Sequence, residues 1–253
     1  MRTTSVSLPA LAGAAFLAAA VVVVVALVVA RGVRRPSGPR SPWLQTLVLG
    51  FILASTVAAA AFFAQVADEM REREWAPFDA AVRAFVFRHH SPPLDVLFRT
   101  ATFVGSTWVV APVCILAAAL LWRRGHQRFT AAVLVAPILG AGLFPLLKAG
   151  FERARPAGAL AAHVASYSFP SGHATTSSAV ALTFAWVLAR ERLAPRPLVL
   201  ALGLLVPFTI GLSRVYLDLH WATDVLAGWA VGCFVAAVCA AFYEGLGGPR
   251  RAA

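Results

Sequence analysis

Between positions 213 and 224 the sequence reads Ser213-Arg214-Val215-Tyr216-Leu217-Asp218-Leu219-His220-Trp221-Ala222-Thr223-Asp224. A serine–arginine pair, a histidine and an aspartate four residues further on lie between two apolar runs, and ionisable groups at a membrane edge are costly enough to signal function. Two other stretches carry chemistry of the same kind: Lys148 to Arg155-Pro156, and Pro170-Ser171-Gly172-His173 directly before an apolar run. Pro170 blocks helix upstream and Ser171 is a good N-cap, so backbone N–H groups at Ser171–His173 should point outward. A helix N-terminus with free amides, and a glycine that permits close approach, suits an anion. Lys148, Arg155 and Arg214 add fixed positive charge that fits a phosphate group. The two histidines, His173 and His220, fit one nucleophile and one general acid. Asp224, one helical turn from His220, can hold the imidazole Nδ1–H and leave Nε2 free to attack.

Such residues need a frame. The chain is 60% hydrophobic and only 13% charged, against about 25% charged in a soluble domain. That is the balance of an integral membrane protein. Uncharged runs cover Leu8–Ala30, Trp43–Ala67, Ala101–Trp122, Phe129–Leu147, Ala174–Ala189, Pro197–Leu212 and Val225–Tyr243. The first exceeds the roughly 7–15 apolar residues of a signal peptide and reads as a retained helix. The next three are long enough to span a bilayer at about 1.5 Å per residue. The two shortest abut the polar stretches, so their helices should continue into a polar site at one membrane face, with Pro207 kinking the second. The fold class is an all-α polytopic membrane helix bundle. Cys114, Cys233 and Cys239 lie inside apolar runs as packing residues, without disulfide or metal spacing.

The net charge of +11 is scattered as arginines through short connectors, which reads as a topology signal and not as a nucleic-acid footprint. Connectors 31–42, 123–128 and 190–197 with the tail after Tyr243 hold twelve arginines against two acids; the alternate connectors hold ten cations against nine acids. The positive-inside rule then puts the N-terminus outside, the C-terminus in the cytoplasm and all three polar stretches on the outer face. Residues 68–104 form one long connector. Asp68–Glu74 is a mixed charge run, expected to be a solvated helix end. Phe78, Val82, Phe85 and Val86 then recur at helical spacing with Asp79 and Arg83 opposite. That pattern fits an amphipathic helix in the membrane interface, a helix capping the bundle, or both at once.

Lys148-x6-Arg155-Pro156, Pro170-Ser171-Gly172-His173 and Ser213-Arg214-x5-His220-x3-Asp224 together resemble, position for position and in order, the three-part signature of the type-2 phosphatidic acid phosphatases. These form the membrane branch of the superfamily that holds bacterial acid phosphatases and vanadium haloperoxidases. The resemblance covers roughly Trp43 to Tyr243. It implies a six-helix phosphatase core over 43–244, with 68–104 as an extracytoplasmic amphipathic connector. Outside that core lie an extra N-terminal transmembrane helix with a basic cytoplasmic linker (1–42) and a cytoplasmic tail (245–253). It implies that His220 attacks phosphorus to give a phosphohistidine, that Asp224 orients it, and that His173 protonates the leaving oxygen and then activates water. Lys148, Arg155, Ser171, the Gly172 amide and Arg214 would hold the phosphoryl oxygens.

No cofactor and no metal are implied, and no Asp/Glu/His cluster with ligand spacing lies nearby. Asp218 stands where similar sequences often carry glycine or an apolar residue, and is expected to cap the seventh helix. Glu152, Arg153 and His163 carry no signal that separates them from solvated loop residues.

The expected function is an integral membrane lipid phosphatase acting on a phosphomonoester or diphosphate lipid at the extracytoplasmic face. Candidate substrates are a polyprenyl diphosphate such as undecaprenyl diphosphate, phosphatidylglycerophosphate and phosphatidate, and the partners are this lipid phosphate and the bilayer. The same phosphohistidine could instead pass its phosphoryl group to a lipid or sugar acceptor. Vanadate haloperoxidase chemistry uses a similar cage, and a non-catalytic lipid-binding or transport protein would share the fold.

Overall fold

The computed structural model describes residues 42–158 and 164–245; the Leu8–Ala30 run, the basic linker up to residue 41, His163 and the tail from 246 lie outside the described residues. Within them the chain is helical: α1 Pro42–Arg71, α2 Ala76–Arg88, α3 Pro92–Val104, α4 Thr107–Arg123, α5 Gln127–Phe151, α6 Gly172–Arg190, α7 Arg196–Tyr216 and α8 Ala222–Gly245. Among the described residues α1, α5, α7 and α8 are long and apolar enough to cross a membrane, and α3 with α4 adds a fifth span if the pair, bent by 50°, counts as one.

One of the expected runs departs from a single helix. The run Ala101–Trp122 is not one helix. It breaks at Gly105-Ser106, where Ser106 takes extended backbone (φ −74, ψ 153) before α4 begins. The Ala174–Ala189 run forms α6, which is the interior element, packed on α8, α7 and α5. It buries Thr175, Ser177, Ser178 and Thr183. A helix sheathed by other helices can carry small hydroxyls, some of which bond back to its own carbonyls. Thr175 Oγ1 donates to the Ser171 carbonyl at 3.0 Å and Ser177 Oγ to that of Ala174 at 3.3 Å.

The α6–α8 seam depends on absent side chains. A Cβ on Gly228 would run into the Ser171 carbonyl, and one on Gly232 into the Thr175 carbonyl and the Ser178 side chain. Small residues let the two backbones meet, as in membrane helix pairs generally. At the far end of the seam Arg190 donates to both oxygens of buried Glu244, at 2.6 and 3.0 Å, and the Tyr243 hydroxyl donates to Glu191. α1 lies along α8 and turns Trp43, Phe51 and Leu53 outward.

The 68–104 connector is helical almost throughout, because α1 continues to Arg71 and α2 and α3 follow. Of the two compatible readings of 76–88, the packing on the bundle is observed: α2 lies on α7 and α8. Its polar side is paired. Asp79 is 2% exposed and bonded to Thr223 and Arg153, while Arg83 grips both oxygens of Asp218 at 2.8 Å. Asp218 therefore does not cap the last helix, which begins at Ala222; it holds left-handed backbone (φ 52) and faces α2.

Adding a methyl at Gly232 should cost about 1–3 kcal/mol, the usual penalty of overpacking. Thermal unfolding of Gly232→Ala in detergent should show that loss. Gly142→Ala, at a position with open space around it, should unfold like the unaltered protein. Equal stability of the two variants would contradict the seam described here.

Candidate active site

Three connections meet at one end of α5–α8. α5 stops where Glu152 takes left-handed backbone (φ 48) as its C-cap, which turns the chain into 152–158. The returning segment is tied to it, since Ser168 N–H and Oγ both donate to the Arg153 carbonyl, at 2.8 and 3.1 Å. Phe169 is fully buried against Phe63 and Phe151, with ring centroids 5.9 and 4.9 Å away, and so delivers Ser171 to the start of α6. There Ser171 N–H donates to the Asp224 main-chain carbonyl at 2.9 Å. At the end of α7 the Arg214 carbonyl accepts the N–H groups of both Leu219 and His220, at 3.0 and 3.2 Å.

His220 lies in the turn before α8, not on the helix, yet the expected pairing holds. Asp224 is fully buried. Its Oδ2 accepts Trp221 N–H at 2.9 Å and faces His220 Nδ1 at 3.3 Å; its Oδ1 accepts Arg153 Nη1 at 2.6 Å. The other ring nitrogen, His220 Nε2, faces Arg155 Nη1 at 3.1 Å. A guanidinium can only donate. Nε2 therefore carries the lone pair and Nδ1 the hydrogen that Asp224 accepts. Burial pushes the His220 imidazole down to about 4, against the opposing hydrogen bond and charge of Asp224, so the ring is neutral near neutral pH.

The cations converge from three elements. Lys148, buried, donates to the Tyr167 carbonyl at 2.6 Å. Arg155 donates to the carbonyls of Ser166 and Leu219 at 2.8 and 2.7 Å. Arg214 Nη1 donates to Thr102 Oγ1. His173 lies against the Thr102 main chain, within electrostatic reach of Arg214, His220 and Lys148. Ser171 Oγ and Arg214 Nε are buried with no hydrogen-bond partner among the described residues. An unpaired buried polar group costs about 1–3 kcal/mol. Two of them in one cationic cluster mark a place suited to a multi-oxygen anion.

The sequence-predicted residues Lys148, Arg155, Ser171, Gly172, His173, Arg214, His220 and Asp224 thus share one cluster, with two corrections to detail. Ser171 occupies the N-cap position of α6 without a side-chain cap bond, and its amide is taken by Asp224. The free helix-end amides therefore begin at Gly172. Four residues escaped the sequence reading. Arg153 bonds Asp224, Thr223 Oγ1 and Asp79 at 2.6, 2.7 and 2.6 Å, and Thr102 holds Arg214. The one available signal was the position of Arg153 two residues before Arg155. Among the described residues no group of three or more His, Cys, Asp or Glu is placed to hold a metal ion.

Residues 128–247 match the family model described as the PAP2 superfamily. The chain is 27% identical over 159 residues to phosphatidylglycerophosphatase B of Bacillus subtilis (strain 168), covering 61% of this chain and 77% of that protein. It is 33% identical over 156 residues to decaprenylphosphoryl-5-phosphoribose phosphatase of Mycobacterium tuberculosis (H37Rv), covering 58% and 75% respectively. The crystal structure of the first transmembrane PAP2 type phosphatidylglycerolphosphate phosphatase from Bacillus subtilis superposes with a TM-score of 0.70. It shares 26% identity and covers 78% of this chain and 99% of that one.

An unperturbed imidazole, with a pKa of about 6.5, is mostly protonated at pH 5. Nitrogen NMR of histidine-labelled protein should instead show His220 as the neutral Nδ1–H tautomer from pH 8 down to pH 5. A cationic ring at pH 5.5, or the Nε2–H tautomer, would contradict the hydrogen-bond assignment.

Proposed function

The chain belongs to the PAP2 superfamily of membrane lipid phosphatases, which act without a metal ion, and on that footing we propose that it hydrolyses a phosphomonoester or diphosphate lipid through a phosphohistidine on His220. The observation that carries this reading is the orientation of His220. Its protonated nitrogen is spent on Asp224 and its lone pair is aimed at Arg155. A phosphate whose oxygens take over the donors of Arg155 brings phosphorus to Nε2.

In the first step the Nε2 lone pair forms the N–P bond as the bond from phosphorus to the leaving oxygen breaks. His173 gives that oxygen its proton. The ring of His220 becomes cationic, and Asp224 stabilises it through Nδ1–H. Lys148, Arg155, Arg214, the Ser171 hydroxyl and the Gly172 amide hold the three equatorial oxygens as charge builds on them. In the second step neutral His173 takes a proton from water, whose oxygen attacks phosphorus. The N–P bond breaks, inorganic phosphate leaves and His220 returns to its neutral form.

A groove of about 420 Å³ runs beside the His220 turn, with Phe78, Val82, Phe98, Leu212, Val225 and Trp229 on its walls. This volume lies in the usual range for ligand sites, roughly 300–1,000 Å³, and its apolar lining suits an acyl or prenyl chain. The names of the relatives fit phosphorylated lipids: phosphatidylglycerophosphatase and decaprenylphosphoryl-5-phosphoribose phosphatase. The loop-charge asymmetry favours the outer face for the site. We therefore rank phosphatidylglycerophosphate, a polyprenyl diphosphate and phosphatidate as the substrates to test.

Purified protein in chelator should release phosphate from at least one of these lipids, and acid quench should trap a labelled phosphohistidine. His220→Ala should lower the rate by on the order of 10³-fold or more; activity that persists in this variant would rule out the nucleophile. Leu212→Trp narrows the groove at an exposed position. It should raise KM for long-chain lipid several-fold and leave a water-soluble phosphomonoester unaffected; equal effects on both would place the chain elsewhere.

A further inference from the structure

Behind the nucleophile lies a second layer of charge that the reaction above does not use. Arg153 sits between two buried carboxylates: its Nη1 donates to Asp224 Oδ1 and its Nη2 to Asp79 Oδ2, each at 2.6 Å. Asp79 Oδ1 accepts the Thr223 N–H at 3.0 Å, and Oδ2 accepts the Thr223 hydroxyl at 2.7 Å. The α2 carboxylate thus caps the first turn of α8, one residue before Asp224. Trp221 closes the outer side, with its ring 5.6 Å from the Arg153 guanidinium carbon. The cationic cage of Lys148, Arg155 and Arg214 is separate from this layer, since none of its hydrogen bonds reaches Asp79 or Arg153.

Charge bookkeeping gives the arrangement a purpose. Were Arg153 paired with Asp224 alone, the two would cancel and little field would be left to favour a cationic His220. A second carboxylate on the same guanidinium leaves the trio Asp79–Arg153–Asp224 with a net charge of −1, which falls to zero when His220 turns cationic. We propose that Asp79 and Arg153 are positioning residues of the reaction: Asp79 takes up the charge of Arg153, so that Asp224 keeps its negative charge for His220 in the phosphoenzyme step. This rests on His220 being the nucleophile proposed above. Arg153 bonds Asp224 and Thr223, Asp79 bonds Arg153 and Thr223, and both stand outside the cationic cage, so their effect falls on the rate of phosphoryl transfer and not on lipid binding.

The test compares the full-length wild type, Asp79→Asn, Arg153→Gln and the double variant in detergent micelles. The substrates are phosphatidylglycerophosphate, undecaprenyl diphosphate and phosphatidate in turn, with phosphohistidine trapped by acid quench and folding followed by thermal unfolding. Asp79→Asn keeps the shape and the acceptor for Thr223 N–H but hands Arg153 entirely to Asp224. Its kcat should fall about 10- to 100-fold, with KM within twofold of wild type and less phosphohistidine trapped. The double variant removes one negative and one positive charge and restores −1 at Asp224. It should be faster than Asp79→Asn.

A purely structural network would make the double variant slower than either single one. That result, a wild-type kcat in Asp79→Asn, or a loss confined to KM would each overturn the proposal. If Asp79→Asn fails to fold, the double variant decides alone: a folded protein within tenfold of wild type supports the charge balance, and a folded inactive one refutes it. A wild-type protein that turns lipid over without any phosphohistidine overturns the proposed function and this inference together. Trapped phosphohistidine with Asp79→Asn equal to wild type overturns this inference alone.

Discussion

Most of the site hangs on one buried carboxylate. Asp224 is cut off from water, and a lone buried charge costs several kcal/mol. The fold meets that cost with Trp221 N–H, His220 Nδ1–H and Arg153, together with the positive end of α8. These donors come from different segments, so satisfying Asp224 also fixes the α5–α6 loop against the start of α8. Its main-chain carbonyl extends the constraint to Ser171 and hence to the α6 N-terminus. The His220 ring and the amides at the head of α6 are set relative to each other by the two ends of a single residue.

The bundle works to the same end. The glycine seam lets α6 and α8 approach closely enough for Ser171 to reach Asp224, and the Arg190–Glu244 pair fastens the opposite end of the same two helices. With both ends fixed, α6 has little freedom to slide, and the distance between His173 and His220 follows from backbone packing. The groove is built differently. It lies among α2, α3, α7 and α8 and is lined by side chains, so it can vary without disturbing the α6–α8 pair.

How much of this the sequence carried depends on where each partner lies. His220 and Asp224 are one turn apart, and Ser171 to His173 open a helix, so both could be read from local spacing. The cations could be read because their motifs resemble a known signature. The partnership of Asp79 with Arg153 spans 74 residues and follows no periodicity; in an amphipathic pattern a buried carboxylate looks the same as a solvated one. The same blindness made Asp218 look like a helix cap when its partner, Arg83, is 135 residues away. The break at Gly105-Ser106 was hidden because it interrupts an uncharged run without a charge or a proline to mark it. α6 is shorter and more hydroxyl-rich than a lipid-facing span because other helices surround it, which no single-run hydropathy argument can show.

The broken span has a consequence for how chain and headgroup communicate. Leu94 and Phe98 of α3 form part of the groove wall, and Thr102, one turn beyond Phe98, holds Arg214 and lies against His173. Spacings of four place all three on one side of the same short helix. One short helix thus borders both the groove and the cationic cluster at Arg214 and His173, whereas His220 and Asp224 are held from the start of α8.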